Sequence, residues 1–198
     1  MKERPILFSG PMVIAILAGQ KTVTRRVVKF GKQTPLTSFV SRDGVLRYTW
    51  CDKPGVGLAM DEKDLLKRCT YGVPGGRLWV RENYSRCACD ACLAAWPKRP
   101  ANDHGVTYIA DYQGPSGIVV RPSIFMPRWA SRITLNVVSV RVERLQEITE
   151  GDAIREGIVF STEYDPTTAY RNLWNSINGP GSWESNPWVW RIEFEVVK

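Results

Sequence analysis

Apolar residues recur at every second position along much of this chain, which is the pattern of strands with one buried face. Together with β-prone composition, this pattern predicts strands over 5–8, 36–40, 45–50, 77–82, 106–110, 133–142 and 188–196. The dipeptide Asp43-Gly44 is a strong hairpin turn signal between the second and third of these strands. The alternation slips by one residue at Val137–Val138, which predicts a β-bulge in the long strand.

Four short segments have helical patterns instead. The first begins at Ser9 or Gly10, has Pro11 in its first turn and ends at Gly19. It has almost no polar face, so we expect it to be buried. The other three helices are predicted within residues 61–68, 149–157 and 165–177. This mixture of short strands and short helices indicates the α+β class.

The last two predicted helices have clear end signals. Thr149 and Asp152 stand in capping-box spacing, and Gly157 ends that helix. Glu156 therefore lies in the last turn, where the negative end of the helix dipole disfavours a carboxylate. Such a placement suits a proton donor or shuttle. Asp165 is the predicted cap of the next helix, whose inward residues are expected to be Leu173, Trp174 and Ile177.

The composition is that of a single globular domain. The chain has 198 residues, 43% of them hydrophobic and 24% charged, and we expect one domain with an insertion. No apolar run approaches the ~18 residues of a membrane span, and no signal-peptide pattern is present, so we expect a cytoplasmic protein with no membrane partner. The net charge of +7 favours a polyanionic partner, and one or two of the eight tryptophans could stack on a base.

Three of the five cysteines form a compact C-x-C-x-x-C knuckle, at Cys87, Cys89 and Cys92. Tetrahedral zinc takes four ligands, and this spacing supplies three of them. The candidates for the fourth ligand, in order of preference, are Cys69, Cys51 and His104. The alternative is a loop of unligated thiols, because a complete second C-x-x-C pair is missing. Such a zinc ion would be structural, and we expect no cofactor for catalysis.

Charged and hydroxyl side chains are most concentrated in the run KTVTRR at 21–26. If a strand begins at Thr22, its two-residue period puts Thr22, Thr24 and Arg26 on one face. Lys21, at the preceding turn, can then swing back over that face. An amine, a hydroxyl and a guanidinium would converge beside a buried helix end. The alternative is a solvated basic strand.

The segment GQKTVTRR resembles the GxKxxTxR signature of the ASCH superfamily, a group of small β-barrel domains related to the PUA RNA-binding fold. The residues at the matching positions are Gly19, Lys21, Thr24 and Arg26. Further similar segments lie at 77–82, 126–135, 144–158 and 188–194, and the likeness is strongest to the longer ASCH-like proteins of phages and prophages. The resemblance implies a PUA-like mixed β-barrel flanked by short helices, with an insertion at about 83–118 that zinc could staple.

Some bacterial ASCH proteins remove the acetyl group from N4-acetylcytidine, and the resemblance implies a similar amide hydrolysis here. It makes Thr24 the nucleophile, Lys21 its base, and Glu156 the group that positions Lys21 or protonates the leaving amine. Activation of a water molecule is equally consistent with these residues. Lys21 can act as a base only if burial or the nearby Arg25 and Arg26 lower its pKa. Arg26 could also steady the oxyanion.

Other side chains are expected around the same cleft. The resemblance brings Arg81 and Glu82 near it, and the alternative for them is a surface ion pair. Arg128 and Trp129 could grip a phosphate and stack a base, although Trp129 could equally pack in the core. The expected substrate-binding residues are therefore Ser9, Arg25, Arg26, Arg81, Glu82, Arg128 and Trp129.

Two other functions are also consistent with this sequence, and both have a nucleoside or nucleic acid as partner. A non-catalytic module for RNA or a modified base would bind in a salt-dependent way and would tolerate Lys21→Ala. A metal-independent ribonuclease would hold the phosphate backbone with the basic cluster, and Lys21 or Glu156 would assist attack by the ribose 2′-OH.

Overall fold

The structure, a computed structural model, describes residues 3–29, 37–40, 46–53, 56–86, 105–114, 118–159 and 164–197. The strands within these ranges are β1 (Glu3–Leu7), β2 (Val23–Val27), β3 (Thr37–Val40), β4 (Leu46–Lys53), β5 (Val56–Met60), β6 (Arg77–Arg81), β7 (Tyr84–Arg86), β8 (Val106–Tyr108), β9 (Thr134–Arg144) and β10 (Trp188–Val196). The α-helices within them are α1 (Gly10–Leu17), α2 (Glu62–Leu66), α3 (Glu150–Arg155) and α4 (Pro166–Asn178).

The largest sheet has the strand order β1-β6-β9-β10-β2. β1 and β6 pair in parallel, and the remaining neighbours pair antiparallel. A second antiparallel sheet contains β3, β4 and β5, and β7 pairs with β8. The α+β class predicted from the sequence is confirmed. The antiparallel pairing of β3 with β4 also agrees with the predicted hairpin.

The predicted bulge lies in β9. Glu193 of β10 pairs with Ser139, but the next residue, Phe194, pairs with Val137. Val138 is therefore the extra residue, and it is 47% exposed. The bulge explains why residues on both sides of the phase slip, among them Leu135, Val137, Val140 and Val142, are all buried in the same core cluster.

Helix α1 is only half buried, in contrast to the prediction. Val13, Ala15 and Ile16 face the core, whereas Ile14 and Leu17 are each about half exposed. An eight-residue helix at the sheet surface has a single side against the core, whatever the polarity of its other side. Ser9 is the N-cap residue, but its side chain makes no capping hydrogen bond.

The end signals of α3 and α4 are confirmed. The Asp152 N–H donates to Thr149 Oγ1 at 3.2 Å, and the Thr168 N–H donates to Asp165 Oδ1 at 2.9 Å. The predicted inward face of α4 is partly wrong. Trp174 is buried, but Leu173 is only half-buried and Ile177 is 56% exposed, because both line an open cavity described below.

The closing strand β10 is buried on both of its faces. Trp190, Ile192 and Phe194 belong to the main core, as the alternation predicts. Val189 lies in a second cluster with residues of α3 and α4, and Arg191 is 2% exposed. β10 is an internal strand with helices packed over its second face, so the simple inside–outside alternation fails there.

Much of the expected insertion at 83–118 lies outside the described residues, including Cys87, Cys89, Cys92 and His104. The parts that are described, β7 and β8, pair with each other, and Tyr84 forms a further bridge with Arg121. Within the described ranges, none of the helices has the length and apolar character needed to cross a membrane.

Candidate active site

Lys21 lies at the junction between α1 and β2. Gly19, just after α1, has a φ of +73° and turns the chain, and the main-chain N–H of Lys21 then donates to Ala15 O at 3.0 Å. The next N–H, of Thr22, donates to Arg155 O at 2.9 Å. The junction is thus tied to the last turn of α3, although the two segments are far apart in sequence.

The Lys21 ammonium is 1% exposed and donates three hydrogen bonds. Its acceptors are Val23 O at 2.9 Å, Glu156 O at 2.6 Å and Glu156 Oε2 at 2.7 Å. An ammonium has three N–H groups, so all of its donors are engaged. The close approach requires Gly157, which has φ +89° and on which a Cβ would lie 3.2 Å from Lys21 Cβ.

The electrostatic setting of Lys21 agrees in direction with the sequence-based expectation. Burial lowers the pKa of Lys21, contact with Glu156 raises it, and the fields of Arg26 and Arg25 lower it again, with a lower pKa as the net result. The uncharged amine form of Lys21 therefore costs less free energy than that of an exposed lysine.

The two carboxylate oxygens of Glu156 have different surroundings. Oε2 accepts the short hydrogen bond from Lys21. Oε1 has two longer contacts, from Arg25 Nη1 at 3.3 Å and from the Tyr170 hydroxyl at 3.4 Å. Glu156 is 3% exposed, so this buried carboxylate is compensated by two cations and a phenol. Oε1 is the oxygen with spare accepting capacity.

A second buried charge network holds Arg25 in place. Arg25 donates to Glu143 Oε1 at 2.8 Å and to Asp152 Oδ2 at 2.6 Å. Asp152 also accepts two hydrogen bonds from Arg191, at 2.8 and 3.1 Å. Hydrogen bonds from Arg191 and Arg25 lower the pKa of Asp152 to about 2, so it stays ionised. The network joins α3 to β2, β9 and β10 beneath Glu156.

Thr24, Arg25, Arg26 and Glu156 all line one cavity of about 420 Å³. This volume lies within the range of about 300–1,000 Å³ that is typical of small-molecule sites. The rest of the lining comes from β1, α1, β2 and α4 and from neighbouring loops. These lining residues are Leu7, Phe8, Ser9, Gly10, Met12, Val27, Asn83, Ser123, Tyr170, Leu173, Trp174, Ile177 and Asn178. Lys21 does not line this cavity and lies behind Glu156.

Two of the polar residues that line the cavity, Thr24 and Arg26, are suited to reaction with a carbonyl. Thr24 is 3% exposed, and its hydroxyl donates no hydrogen bond to the residues that the structure describes. Arg26 lies with its guanidinium carbon 5.2 Å from the centre of the Phe8 ring and donates to Leu7 O. The Arg26 Nε is buried without a partner in the described part of the chain. A free hydroxyl and an incompletely paired guanidinium therefore share the cavity.

The contribution of α4 to the cavity wall was not predicted from the sequence. Tyr170, Leu173, Trp174 and Ile177 line the cavity at helical spacing, with Asn178 at the end of the same face. The spacing i, i+3, i+4 and i+7 was visible in the sequence, but it is also the ordinary pattern of a core-facing helix. Nothing in one sequence distinguishes a face that covers the core from a face that forms a cavity wall.

Four of the expected substrate-binding residues are not among the lining residues of this cavity. Glu82 is 1% exposed, and Arg132 donates a hydrogen bond of 2.9 Å to each of its carboxylate oxygens. Arg128 pairs with Glu3 at 2.6 Å. Arg81 lies over the Trp79 ring at 4.6 Å, and its Nε is buried without a described partner. Trp129 packs beside a small cluster that contains Tyr84, Met126 and Ala130.

Cys69 is the only member of the expected zinc set that the structure describes with its side chain. It is a free thiol, 1% exposed, within the main core cluster. Burial raises the pKa of the Cys69 thiol. No group of three or more metal-ligating side chains is found among the described residues, a set that excludes the knuckle itself. The zinc site stays a prediction.

No protein-family model matches this chain, and neither the curated proteins nor the solved structures contain a significant match.

Proposed function

We propose that this protein hydrolyses the amide bond of an N4-acylated cytosine nucleoside or a related modified base, on an ASCH-type, PUA-like β-barrel fold. One observation carries the proposal. The Thr24 hydroxyl and the Glu156 carboxylate, 132 positions apart in the chain, line the same ligand-sized cavity, and the Lys21 ammonium holds Glu156 in place.

The roles of Lys21 and Glu156 differ from those that the resemblance implies. All three donors of Lys21 are engaged, and its side chain lies behind Glu156 rather than in the cavity. Glu156 lines the cavity, and its Oε1 has only long contacts. We therefore assign proton transfer to Glu156 and the positioning of Glu156 to Lys21.

The reaction then proceeds in two balanced steps. The Thr24 oxygen attacks the amide carbonyl and passes its proton to Glu156, and the Arg26 guanidinium stabilises the oxyanion. Glu156 returns the proton to the N4 nitrogen as the carbon–nitrogen bond breaks, which releases the free base and leaves an ester on Thr24. A water molecule, deprotonated by Glu156, hydrolyses the ester and restores the hydroxyl. Direct attack by that water on the amide would use the same groups.

The apolar walls suit the flat part of such a substrate. Phe8, Met12, Leu173 and Trp174 all line the cavity. A pyrimidine ring against these side chains buries apolar surface, while its exocyclic amide reaches Thr24 and Arg26.

The test is incubation of the purified protein with N4-acetylcytidine, followed by chromatography for cytidine and acetate. We expect stoichiometric release of both products. Unchanged N4-acetylcytidine, with N4-benzoylcytidine also intact, would contradict the proposal.

One observation favours a second candidate, a binding module for a modified base. The complete saturation of Lys21 by three acceptors is also what a purely structural lysine would show. This module would bind N4-acetylcytidine in the same cavity without cleaving it. Calorimetric binding without product release would identify this function and reject hydrolysis.

A further inference from the structure

Tyr170 lies on the wall of the cavity directly beside Glu156. It is 3% exposed, and its hydroxyl donates to Glu156 Oε1 at 3.4 Å. Its ring packs against Trp174 and Trp183, with centroid distances of 6.1 and 6.3 Å. The ring position is therefore fixed by packing, while the O–H bond is free to rotate.

The hydrogen bond from Tyr170 to Glu156 is weak enough to be exchanged. Strong O–H···O bonds are about 2.7–2.8 Å long, and this one is longer. The other donor to Oε1, Arg25, is held by shorter bonds to Glu143 and Asp152 at 2.8 and 2.6 Å. Within the described chain, the Tyr170 hydroxyl has no shorter bond of this kind. Of the two donors, only Tyr170 can turn toward a ligand.

The Tyr170 phenol also keeps its proton. Burial and the nearby Glu156 charge raise the pKa of Tyr170 well above its ordinary value, so the group acts as a hydrogen-bond donor and not as an acid. A donor of this kind, next to a proton-transferring carboxylate, suits an acceptor atom on the leaving group.

An N4-acylated cytosine has such an acceptor. When the bond between N4 and the acyl carbon breaks, the electron pair passes to N4 and is shared through the ring with N3. A hydrogen bond to N3 stabilises this developing charge, while Glu156 supplies the proton that N4 finally takes.

Building on the proposed function, we infer that Tyr170 is a further catalytic residue, which moves its hydrogen bond from Glu156 to the ring nitrogen beside the scissile amide. This inference narrows the substrate class. The amide must be carried by an exocyclic nitrogen whose neighbouring ring atom is an acceptor, as in N4-acylated cytosine.

The test compares two substrates and two proteins. Wild type and Tyr170→Phe are assayed on N4-acetylcytidine and on its 3-deaza analogue, in which N3 is replaced by CH. We expect Tyr170→Phe to lower kcat about tenfold on N4-acetylcytidine and to leave kcat on the analogue unchanged within about twofold. An equal loss on both substrates, or no loss on either, would overturn the inference.

The matched control is Tyr108→Phe. That tyrosine is half-buried and donates to Ala130 O at 3.1 Å, and it is not a lining residue of the cavity. We expect its kcat on both substrates to match that of wild type. If Tyr170→Phe does not fold, wild type alone provides the test, because its rate on the analogue, relative to alkaline hydrolysis, should fall about tenfold. Equal relative rates would then overturn the inference.

Failure of the proposed function gives a different result. In that case wild type hydrolyses neither compound, and calorimetry with cytidine and 3-deazacytidine tests Tyr170 independently. We then expect Tyr170→Phe to weaken the binding of cytidine about tenfold and the binding of 3-deazacytidine not at all. Equal effects on the two ligands would reject the role of Tyr170.

Discussion

Lys21 and Glu156 are bound to each other twice, through the Glu156 carbonyl oxygen at 2.6 Å and its carboxylate at 2.7 Å. The first contact fixes the backbone at the end of α3, and the second fixes the rotation of the side chain. Together they hold the Glu156 carboxylate at the cavity that Thr24 also lines. The pair therefore joins two segments 135 positions apart and determines the geometry of the site.

Breaking this pair should be costly from either side. Lys21→Met and Glu156→Gln each remove the shortest ion-pair contact of a buried charge, and we expect each to lower the free energy of unfolding by about 3–5 kcal/mol. The double variant should lose clearly less than the sum, because neither partner remains charged. Urea denaturation of the four proteins measures this coupling. Strictly additive losses would show that Lys21 and Glu156 have no interaction energy with each other.

In the proposed reaction, Thr24→Val should abolish turnover without unfolding the protein. The substitution keeps the shape of the side chain and removes the hydroxyl, which makes no described hydrogen bond as donor. We expect kcat on N4-acetylcytidine to fall at least about 100-fold and the free energy of unfolding to change by less than about 1 kcal/mol. Thr70→Val, at an exposed position outside the cavity, is the control and should retain wild-type turnover. Full activity of Thr24→Val would exclude Thr24 as the nucleophile.

Gly157→Ala and Gly179→Ala form a matched pair that separates backbone strain from crowding. Both glycines have positive φ, at +89° and +98°. A Cβ at 157 would lie 3.1 Å from Ala15 Cβ and 3.2 Å from Lys21 Cβ, whereas a Cβ at 179 meets nothing within 4 Å. Gly179 also has ψ 158°, a conformation that residues with a side chain rarely adopt, so we expect a loss of about 1–3 kcal/mol for Gly179→Ala and a clearly larger loss for Gly157→Ala. Thermal unfolding measures both, and equal losses would show that the close approach around Lys21 is not tight.

Asp152 should make the stability of the protein depend on pH in the acidic range. Its pKa falls from an ordinary 3.8 to about 2 in the folded state. Because the folded value is the lower one, the ionised group stabilises the fold above about pH 4, and this contribution is lost as the pH falls toward 2. Asp152→Asn should therefore be less stable than wild type by about 2 kcal/mol at pH 6, and the difference should shrink by pH 2.5. Urea unfolding at both values tests this, and a difference independent of pH would contradict it.

Local signals in the sequence were reliable where short-range physics decides the outcome. The caps Thr149 and Asp165 and the bulge at Val138 all depend on neighbours within a few residues, and all were predictable. The contact between Lys21 and Glu156 was expected from family resemblance, and the structure shows the two residues in contact.

The remaining features depend on which faces meet in three dimensions. Arg191 looks like an outward residue of a closing strand, but it is buried because Asp152 compensates its charge. Tyr170 looks like a core residue, but it lines a cavity. The residue that each of them contacts, Asp152 for Arg191 and Glu156 for Tyr170, lies more than ten positions away in the chain. No local sequence pattern could therefore reveal either contact.

The position of β2 has a consequence for how the protein is made. β2, which contains Thr24, pairs with β10, the last of the described strands in chain order. During translation, the segment that holds Thr24 leaves the ribosome long before its pairing strand is synthesised. The cavity that Thr24 lines can therefore form only once β10 has been synthesised and has inserted between β9 and β2.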